Sequence, residues 1–114
     1  MGNTDTVGGV TLYHVGMARL FAGNDVQKFA DDIDQILEAS AKPRVAIDLT
    51  GVEFVSSRTL GLIMAAYKKA QSKGGGLAIF GANATLVHVL DTTKINTVIP
   101  VVDAQDDVVV ALSG

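Results

Sequence analysis

Two adjacent hydroxyls, Ser56 and Ser57, stand directly before a cation, Arg58, in the stretch FVSSRTLGLIMAAYKK. The apolar spacing that follows predicts a helix beginning near Ser57. The first amide groups of a helix lack intrahelical acceptors, and the helix dipole is positive at that end. A hydroxyl there can cap the helix, worth about 1 kcal/mol, and from these residues alone a plain cap is the simpler interpretation. A phosphate on Ser57 would bring roughly −1.5 to −2 charges to a place that tolerates an anion.

No enzymatic arrangement of side chains is predicted. A nucleophilic triad needs a histidine base beside its serine, but His14 falls in an early strand and His88 inside a helix, and no G-x-S-x-G sequence surrounds either serine. A metal site needs two or three ligands in one element or at loop spacing. The carboxylates instead follow a helix face or a terminal turn, as at Asp31, Asp32, Asp34, Asp103, Asp106 and Asp107. We therefore expect a non-enzymatic module without metal or cofactor.

The composition is that of a packed globular protein. Hydrophobic residues make up 48% of the 114 residues and charged residues only 18%. The net charge of −3 leaves no cationic surface for nucleic acid. No apolar run approaches the roughly 18 residues of a membrane span, and the first ten residues do not resemble a signal peptide. Without an export signal or an apolar span, a cytoplasmic location without membrane insertion is expected, and the absence of cysteine is compatible with that location.

The first third of the chain is predicted to contain two strands and a helix. Residues 1–9 are expected to be a flexible leader, and residues 10–114 a single domain. Two short strands are predicted at about 10–14 and 16–21. The helix that follows is expected to be capped by Asn24 and to bury an apolar stripe of period 3.6.

The remainder alternates short apolar runs with helices. Strands are predicted at RVAIDLT, LAIF and TVIPVV, the last at the sheet edge because of Pro100. The second helix is predicted to run from Ser57 to a stop at the glycine triplet 74–76. The third helix is predicted over about 84–91 with Leu86, Val87 and Leu90 inward, and the fourth from Asp103 to near Leu112.

This order predicts an α/β fold with a mixed, mostly parallel sheet of about five strands and with four helices. Function in such sheets tends to lie beyond the carboxyl ends of the strands. Here those ends are Asp48-Leu49-Thr50 with the loop from Gly51 to Ser57, and Phe80-Gly81-Ala82-Asn83. These two loops are the expected position of the site.

The stretch VAIDLTGVEFVSSRTLGLIMAAYKKAQSKGGGLAIFG resembles the core of the STAS domain family, named for sulfate transporters and anti-sigma factor antagonists. Members carry a strand ending in Asp-Leu-Ser/Thr, then an apolar pair, then Asp-Ser-Ser-Gly-Leu or Ser-Ser-Ala-Gly-Leu at a helix start. Asp48-Leu49-Thr50 matches the first part, Phe54-Val55 the pair, and Ser56-Ser57 with Leu60-Gly61 the last. The similarity covers about residues 10–112.

The resemblance implies a phosphorylation site. In stand-alone members, the serine matching Ser57 is phosphorylated by a partner that is both anti-sigma factor and serine kinase. The unphosphorylated form binds that partner and frees the sigma factor, and a phosphatase resets the cycle. Ser57 is thus the expected phosphoacceptor, and Ser56 occupies a position that is Asp in many members. The expected partner contacts are Ser56, Arg58, Thr59, Phe21, Asn24, Gly81 and Asn83.

Two positions and one short segment depart from the family pattern. Arg58 stands where members usually have a small residue, and Thr59 where they usually have Gly. A cation in the first helical turn opposes the dipole by roughly 0.3–1 kcal/mol. Arg58 could pair with a phosphate on Ser57, contact an acidic partner, block a kinase, or simply be solvated. Phe21-Ala22-Gly23 lies where many members have an acidic residue that contacts the partner.

Two functions remain open at this point. The leading one is a cytoplasmic, bacterial anti-sigma factor antagonist, a signalling protein of transcription regulation that is switched by phosphorylation of Ser57. The alternative is a STAS-like module that is never phosphorylated. Such a module would be a scaffold, a transporter-associated subunit, or a binder of a nucleotide or an apolar ligand near the strand ends.

Overall fold

The structure, a computed structural model, describes residues 3–16, 19–20 and 23–112. Within these ranges the strands are β1 Asn3–Val7, β2 Val10–His14, β3 Arg19–Leu20, β4 Arg44–Asp48, β5 Phe54–Val55, β6 Gly76–Phe80 and β7 Val101–Val102. The helices are α1 Gly23–Glu38, α2 Ser57–Ser72, α3 Ala84–Thr92 and α4 Gln105–Leu112, with a 3-10 turn at Ile95–Thr97 between α3 and β7.

Five strands form the main sheet in the order β1-β2-β4-β6-β7. β1 pairs antiparallel with β2, whereas the pairs β2-β4, β4-β6 and β6-β7 are parallel. The short strands β3 and β5 form a separate parallel pair. The predicted α/β fold, with a mixed, mostly parallel sheet of five strands and with four helices, is confirmed.

The predicted leader is wrong for residues 3–9, which form a hairpin with β2. Asn3–Val7 pairs antiparallel with Val10–His14. Gly8 and Gly9 connect the two strands at φ values of +57° and +81°, the left-handed conformation that a tight hairpin turn of this kind needs at both positions. The glycine pair was a hairpin signal in the sequence. The polar side chains of β1 concealed it, because an edge strand with little burial has no apolar face to recognise.

The main sheet is covered on both faces. On one face α1, α2 and α3 pack against a core that includes Tyr13, Ile47 and Ile79 of the strands. On the other face α4 packs through Val108 on a smaller cluster, formed by Val10, Leu12, Ala46, Ala78 and Phe80. The central strands β4 and β6 are buried from both sides, which explains why their sequences are apolar runs without alternation.

The first helix begins one residue before its predicted cap. Asn24 lies inside the first turn of α1 and is exposed, so the prediction that it caps the helix is wrong. The apolar stripe is present: Val26, Phe29, Ile33 and Leu37 are buried. Tyr13 of β2 meets Phe29 edge to face, with ring centroids 5.8 Å apart, and donates a hydrogen bond to Asp32 at 2.7 Å. These contacts dock α1 on the sheet.

The ends of the later helices agree with the predictions to within two residues, but one side chain of α3 was predicted to point in the wrong direction. α2 begins at Ser57 as predicted, and α4 begins at Gln105 rather than Asp103 and ends at Leu112. Val87 of α3 was predicted to point inward, but 42% of it is exposed. It lies one position beyond the stripe on which α3 packs.

The predicted strand TVIPVV is shorter than expected. Only Val101–Val102 pairs in the sheet, and it does so at the edge beside β6, as predicted. Pro100 has no N–H to donate to a ladder, although its carbonyl still accepts from the Ile79 amide at 2.9 Å. Before it, Thr97 ends the 3-10 turn, and Val98 and Ile99 form a turn and a bend outside the sheet.

Candidate functional site

The cap of α2 is Ser56. Its Oγ accepts a hydrogen bond from the Thr59 amide at 3.2 Å, and its backbone is extended, with φ −87° and ψ 166°. Its carbonyl accepts from the Leu60 amide at 3.1 Å, which closes the first helical turn. Ser57 is the first helical residue. The interpretation of Ser57 as the cap is therefore wrong by one residue.

Ser57 presents its hydroxyl to solvent. The side chain is exposed and makes no hydrogen bond with any of the described residues. The amides of Ser57 and Arg58 also lack an acceptor within the described part of the chain, as expected for a first helical turn. The helix behind them is 16 residues long and has no acidic residue in its first turn. The accessible Ser57 hydroxyl thus lies at the positive end of a helix, beside two amides that have no acceptor among the described residues.

Arg58 reaches from α2 across to α1. Its Nη2 donates to Gln27 Oε1 at 3.3 Å, and Gln27 Nε2 donates in turn to Asp31 Oδ1 at 2.9 Å. All three side chains are exposed, so water competes for these bonds and the bridge is weak. The guanidinium is directed towards α1, which leaves the Ser57 hydroxyl open.

Thr59 is buried, with none of its surface exposed. Its hydroxyl lies 3.1 Å from Ser56 Oγ beneath the first turn of α2. A side chain in this position cannot touch a partner while α2 is folded, so the prediction of Thr59 as a partner contact is wrong. The three-residue spacing from Ser56 to Thr59 is that of a helix cap and the residue whose amide it satisfies.

The two strand-end loops meet, as the parallel sheet predicts. Asn83 Nδ2 donates to the Val52 carbonyl at 3.2 Å, and Asn83 Oδ1 caps α3 by accepting from the Leu86 amide at 2.8 Å. One side chain therefore anchors the start of α3 to the loop that leads to Ser57. Asn83 is exposed, and its contact with a partner stays a prediction.

Gly81 allows the two loops to approach. Its φ is +76°, and a Cβ there would lie 2.3 Å from Thr50 Oγ1 and 2.9 Å from Asp48 Oδ1. Any side chain would displace the β4 end, so glycine is required for packing as well as for backbone conformation. A contact between Gly81 and a partner stays a prediction.

A histidine lies between two carboxylates, an arrangement that the sequence did not predict. The register of β2 on β4 places His14 beside Asp48, on the face that α4 covers. His14 Nδ1 lies 2.5 Å from Asp48 Oδ2, and His14 Nε2 lies 2.9 Å from Asp5 Oδ2. The other oxygen of Asp48 accepts from the Thr50 amide at 2.8 Å. No sequence signal marked this cluster, because Asp5 fell in the predicted leader.

The cluster shifts the pKa values of two of its members. The hydrogen bond that His14 donates to Asp48 is the largest cause that raises the pKa of His14 above its ordinary 6.5. The bond to Asp5 adds to this effect, whereas partial burial opposes it. Burial alone would raise the pKa of Asp48, but hydrogen bonds from Thr50 and His14 outweigh it and lower that pKa below 3.8. Both shifts favour a cationic imidazole beside an ionised Asp48.

An exposed aromatic ring lies close to the Ser57 hydroxyl in sequence. Phe54, on β5, has 53% of its surface exposed although it is large and apolar. Aromatic residues are enriched where proteins contact one another. Asn24, in the first turn of α1, is exposed and stays a predicted contact, whereas Phe21 lies outside the described residues.

The described residues contain neither a candidate metal cluster nor a candidate membrane span. Among them there is no group of three or more histidine, aspartate, glutamate or cysteine side chains that could hold a metal ion. None of the helices seen in the described ranges is both long enough and apolar enough to cross a bilayer.

Sequence comparison gives a family match and a distant relative. The STAS domain family matches residues 3–108, which is nearly the whole chain. The anti-sigma F factor antagonist of Paenibacillus polymyxa is 25% identical over 71 residues. Those residues span 62% of this chain and 61% of that relative, so the match covers less than two thirds of the relative's length.

Solved structures share the fold along almost the full chain. An anti-sigma-factor antagonist (STAS) domain protein from Planctomyces limnophilus has a TM-score of 0.82 at 24% identity, covering 96% of this chain and 95% of that one. The Bacillus cell fate determinant SpoIIAA in its phosphorylated form has a TM-score of 0.68 at 13% identity, covering 97% of each chain. With its strand order and four helices and with residues 3–108 matched, the chain belongs to the STAS domain family.

Proposed function

We propose that this chain is an anti-sigma factor antagonist, a non-enzymatic, single-domain regulator in the bacterial cytoplasm. It binds a partner that is both anti-sigma factor and serine kinase, and so frees a sigma factor. Phosphorylation of Ser57 ends this binding, and a phosphatase restores it. The names of the Paenibacillus and Planctomyces proteins support the antagonist role, and a solved phosphorylated form of SpoIIAA supports a phosphorylation switch.

The observation that carries the proposal is that Ser56 and Ser57 have different structural roles. Ser56 caps α2, so folding does not require the Ser57 hydroxyl. Ser57 is exposed at the helix start, where a kinase can reach it. Modification of Ser57 would therefore leave the cap of α2 in place.

A phosphate on Ser57 would be tolerated by the fold. The amides of Ser57 and Arg58, which meet no acceptor among the described residues, and the positive end of the helix dipole favour an anion there. A partner packed on the same surface would instead meet a bulky, hydrated dianion and would have to desolvate it. The switch therefore acts on the complex and needs no rearrangement of the free protein.

The segment around Ser57 has the composition of a partner contact. Phe54 supplies an exposed aromatic ring, and Arg58 supplies a cation whose side-chain bond within the described part of the chain is its weak bridge to Gln27. Aromatic residues and arginine dominate the binding energy of many protein interfaces. Because the bond to Gln27 is exposed, Arg58 can exchange it at little cost for an acidic group of the partner or for the phosphate.

The test is phosphate mapping with the serine kinase encoded nearest to the gene. The chain is incubated with this kinase and ATP, and the modified residue is located by mass spectrometry. We expect one phosphate, on Ser57, and none on Ser57→Ala. The Ser56→Ala variant should still be labelled if it remains folded, and so should Arg58→Ala, because the guanidinium points towards α1.

Two outcomes would contradict the proposed switch. One is an unmodified wild-type chain, which would favour the STAS module that is never phosphorylated. The other is equal labelling of wild type and Ser57→Ala, which would place the phosphate elsewhere.

A further inference from the structure

The cluster of Asp5, His14 and Asp48 joins three neighbouring strands of the sheet. His14 stands on β2, between Asp5 of β1 and Asp48 of β4. The exposed fraction of the side chain falls across the cluster, from 69% for Asp5 through 26% for His14 to 14% for Asp48. One half of the cluster is therefore open to solvent and the other is enclosed.

The enclosed half is firmly held. Asp48 faces His14 Nδ1 at 2.5 Å with one oxygen and accepts from the Thr50 amide with the other. A neutral imidazole keeps one proton, and the closer, more enclosed carboxylate retains it on Nδ1. Nε2 then presents a lone pair to the carboxylate of Asp5, and the attraction between these groups becomes repulsion.

Asp5, the exposed member of the cluster, lies on a strand whose side chains make few other contacts with the sheet. Residues 3–6 of β1 are exposed, and Val7 is half-buried against the cluster under α4. Among the described residues, the Asp5–His14 bond is the side-chain hydrogen bond that links β1 to the rest of the sheet. The attachment of β1 thus depends on its backbone ladder, on Val7 and on this bond.

We propose that Asp5, His14 and Asp48 form a proton-operated clasp that fastens the edge strand β1 to the sheet. The clasp is closed while both imidazole nitrogens carry protons, and it opens on the Asp5 side when Nε2 loses its proton. The proposal concerns β1 and holds whether or not Ser57 is phosphorylated.

The charges that face His14 come from two elements. They are Asp5 on β1 and Asp48 on β4, the two groups that shift the pKa of His14. The helix that also packs on β2, α4, carries Asp106 and Asp107 in its first turn, but both are exposed and neither contributes to that shift. Proton binding by His14 is therefore governed by the clasp itself.

The direction in which the stability of the clasp depends on pH follows from the shifted pKa values of His14 and Asp48. Because the pKa of His14 is raised in the folded state, its stabilisation is complete below the ordinary 6.5 and is lost as pH rises through the higher folded value. Because the pKa of Asp48 is lowered, its contribution is present above 3.8 and is lost as pH falls through the folded value. The Asp5 side of the clasp therefore opens on the alkaline side, as His14 loses its second proton.

The experiment combines a histidine titration with amide hydrogen exchange, between about pH 5.5 and 8.5. The ring signals of His14 give its midpoint, and His88, exposed on α3, is the internal control. Exchange rates of the β1–β2 amides are divided by the intrinsic rate at each pH. We expect their protection to fall roughly twofold to fivefold as pH passes the His14 midpoint, the scale of an exposed ion pair. Protection in the β4–β6 ladder should stay constant.

The matched variant is Asp5→Asn, which keeps the shape of an exposed side chain and removes its charge. We expect a lower His14 midpoint in this variant, and β1–β2 protection that no longer changes at that midpoint. His14→Gln should give the same loss of pH dependence. The proposal is overturned if wild-type protection does not change at the His14 midpoint, if Asp5→Asn shows the same fall, or if the β4–β6 ladder falls in parallel.

Discussion

At the start of α2, two neighbouring hydroxyls have different environments. Ser56 is the cap that precedes the helix, and Ser57 is the first helical residue. Ser56 is turned inward onto the Thr59 amide, whereas Ser57 is turned outward into solvent. The sequence predicted that this pair stands at a helix start. It could not show which serine caps, because a shift of one residue in the boundary exchanges their roles, and boundaries are the least certain part of a sequence-based prediction.

Substitution of the two serines separates these roles. Ser56→Ala removes the acceptor of the Thr59 amide, and we expect the free energy of unfolding to fall by about 1 kcal/mol. Ser57→Ala removes a hydroxyl without a partner among the described residues, and the change should stay below about 0.5 kcal/mol. Urea denaturation monitored by circular dichroism measures both. Equal losses in the two variants would contradict the assignment of the cap.

A second prediction at this scale compares two glycines with similar backbone. Gly81 and Gly51 have φ of +76° and +81°, but a Cβ would clash with Thr50 at Gly81 and meets nothing within 4 Å at Gly51. Gly51→Ala should lower the free energy of unfolding by about 1–2 kcal/mol, the penalty for an alanine in the left-handed conformation. Gly81→Ala should cost distinctly more in the same urea denaturation, because Thr50 must also move. Equal costs would show that the close approach of the two loops is not required.

At the scale of elements, the sequence was informative wherever burial imposes a pattern. β4 and β6 are covered on both faces, and their unbroken apolar runs predicted them. β1 is an exposed edge strand, so nothing in its side chains distinguished it from a leader. For the same reason the clasp at His14 could not be predicted: it depends on a register between strands, one of which had not been recognised.

The contact between β2 and α1 gives a pH-dependent prediction. Tyr13→Phe removes the hydroxyl that donates to Asp32. Because Asp32 keeps Lys28 as a partner at 2.5 Å, the free energy of unfolding near pH 7 should fall by only about 1 kcal/mol. Burial, and then the hydrogen bond to Asp32, hold the pKa of Tyr13 well above its ordinary 10. Above pH 10 the unfolded chain releases this proton and the folded chain does not, so wild-type stability falls with rising pH.

The variant lacks this ionisation. Urea denaturation at about pH 7, 10 and 11.5 should therefore show a shallower alkaline fall for Tyr13→Phe than for wild type. Parallel curves for the two proteins would contradict the raised pKa of Tyr13.

At the scale of the whole molecule, parallel strands bring loops from distant parts of the chain to one edge. The sequence predicted this edge as the site, and the bond from Asn83 to Val52 confirms that its loops meet. The sequence did not predict which side chains are accessible there. Thr59 proved to be buried and Phe54 exposed, because accessibility depends on how helix and loop pack together and not on residue type.

The exposed ring of Phe54 gives a prediction about binding. Phe54→Ala should weaken the complex with the partner kinase by more than about 1 kcal/mol, the scale of an aromatic anchor in an interface. The matched control is Val98→Ala, since Val98 is 45% exposed and lies beside Pro100 at the opposite end of the strands. Isothermal titration calorimetry measures both affinities. Equal affinities for the two variants would remove Phe54 from the interface.

The central claim is that phosphorylation of Ser57 ends partner binding. Its most direct test is calorimetric titration of the partner kinase, without ATP, by the unmodified chain and by the chain phosphorylated at Ser57. We expect the phosphorylated form to bind at least about tenfold more weakly, equivalent to about 1.4 kcal/mol, with an unchanged circular dichroism spectrum. Equal affinities of the two forms would contradict the claim.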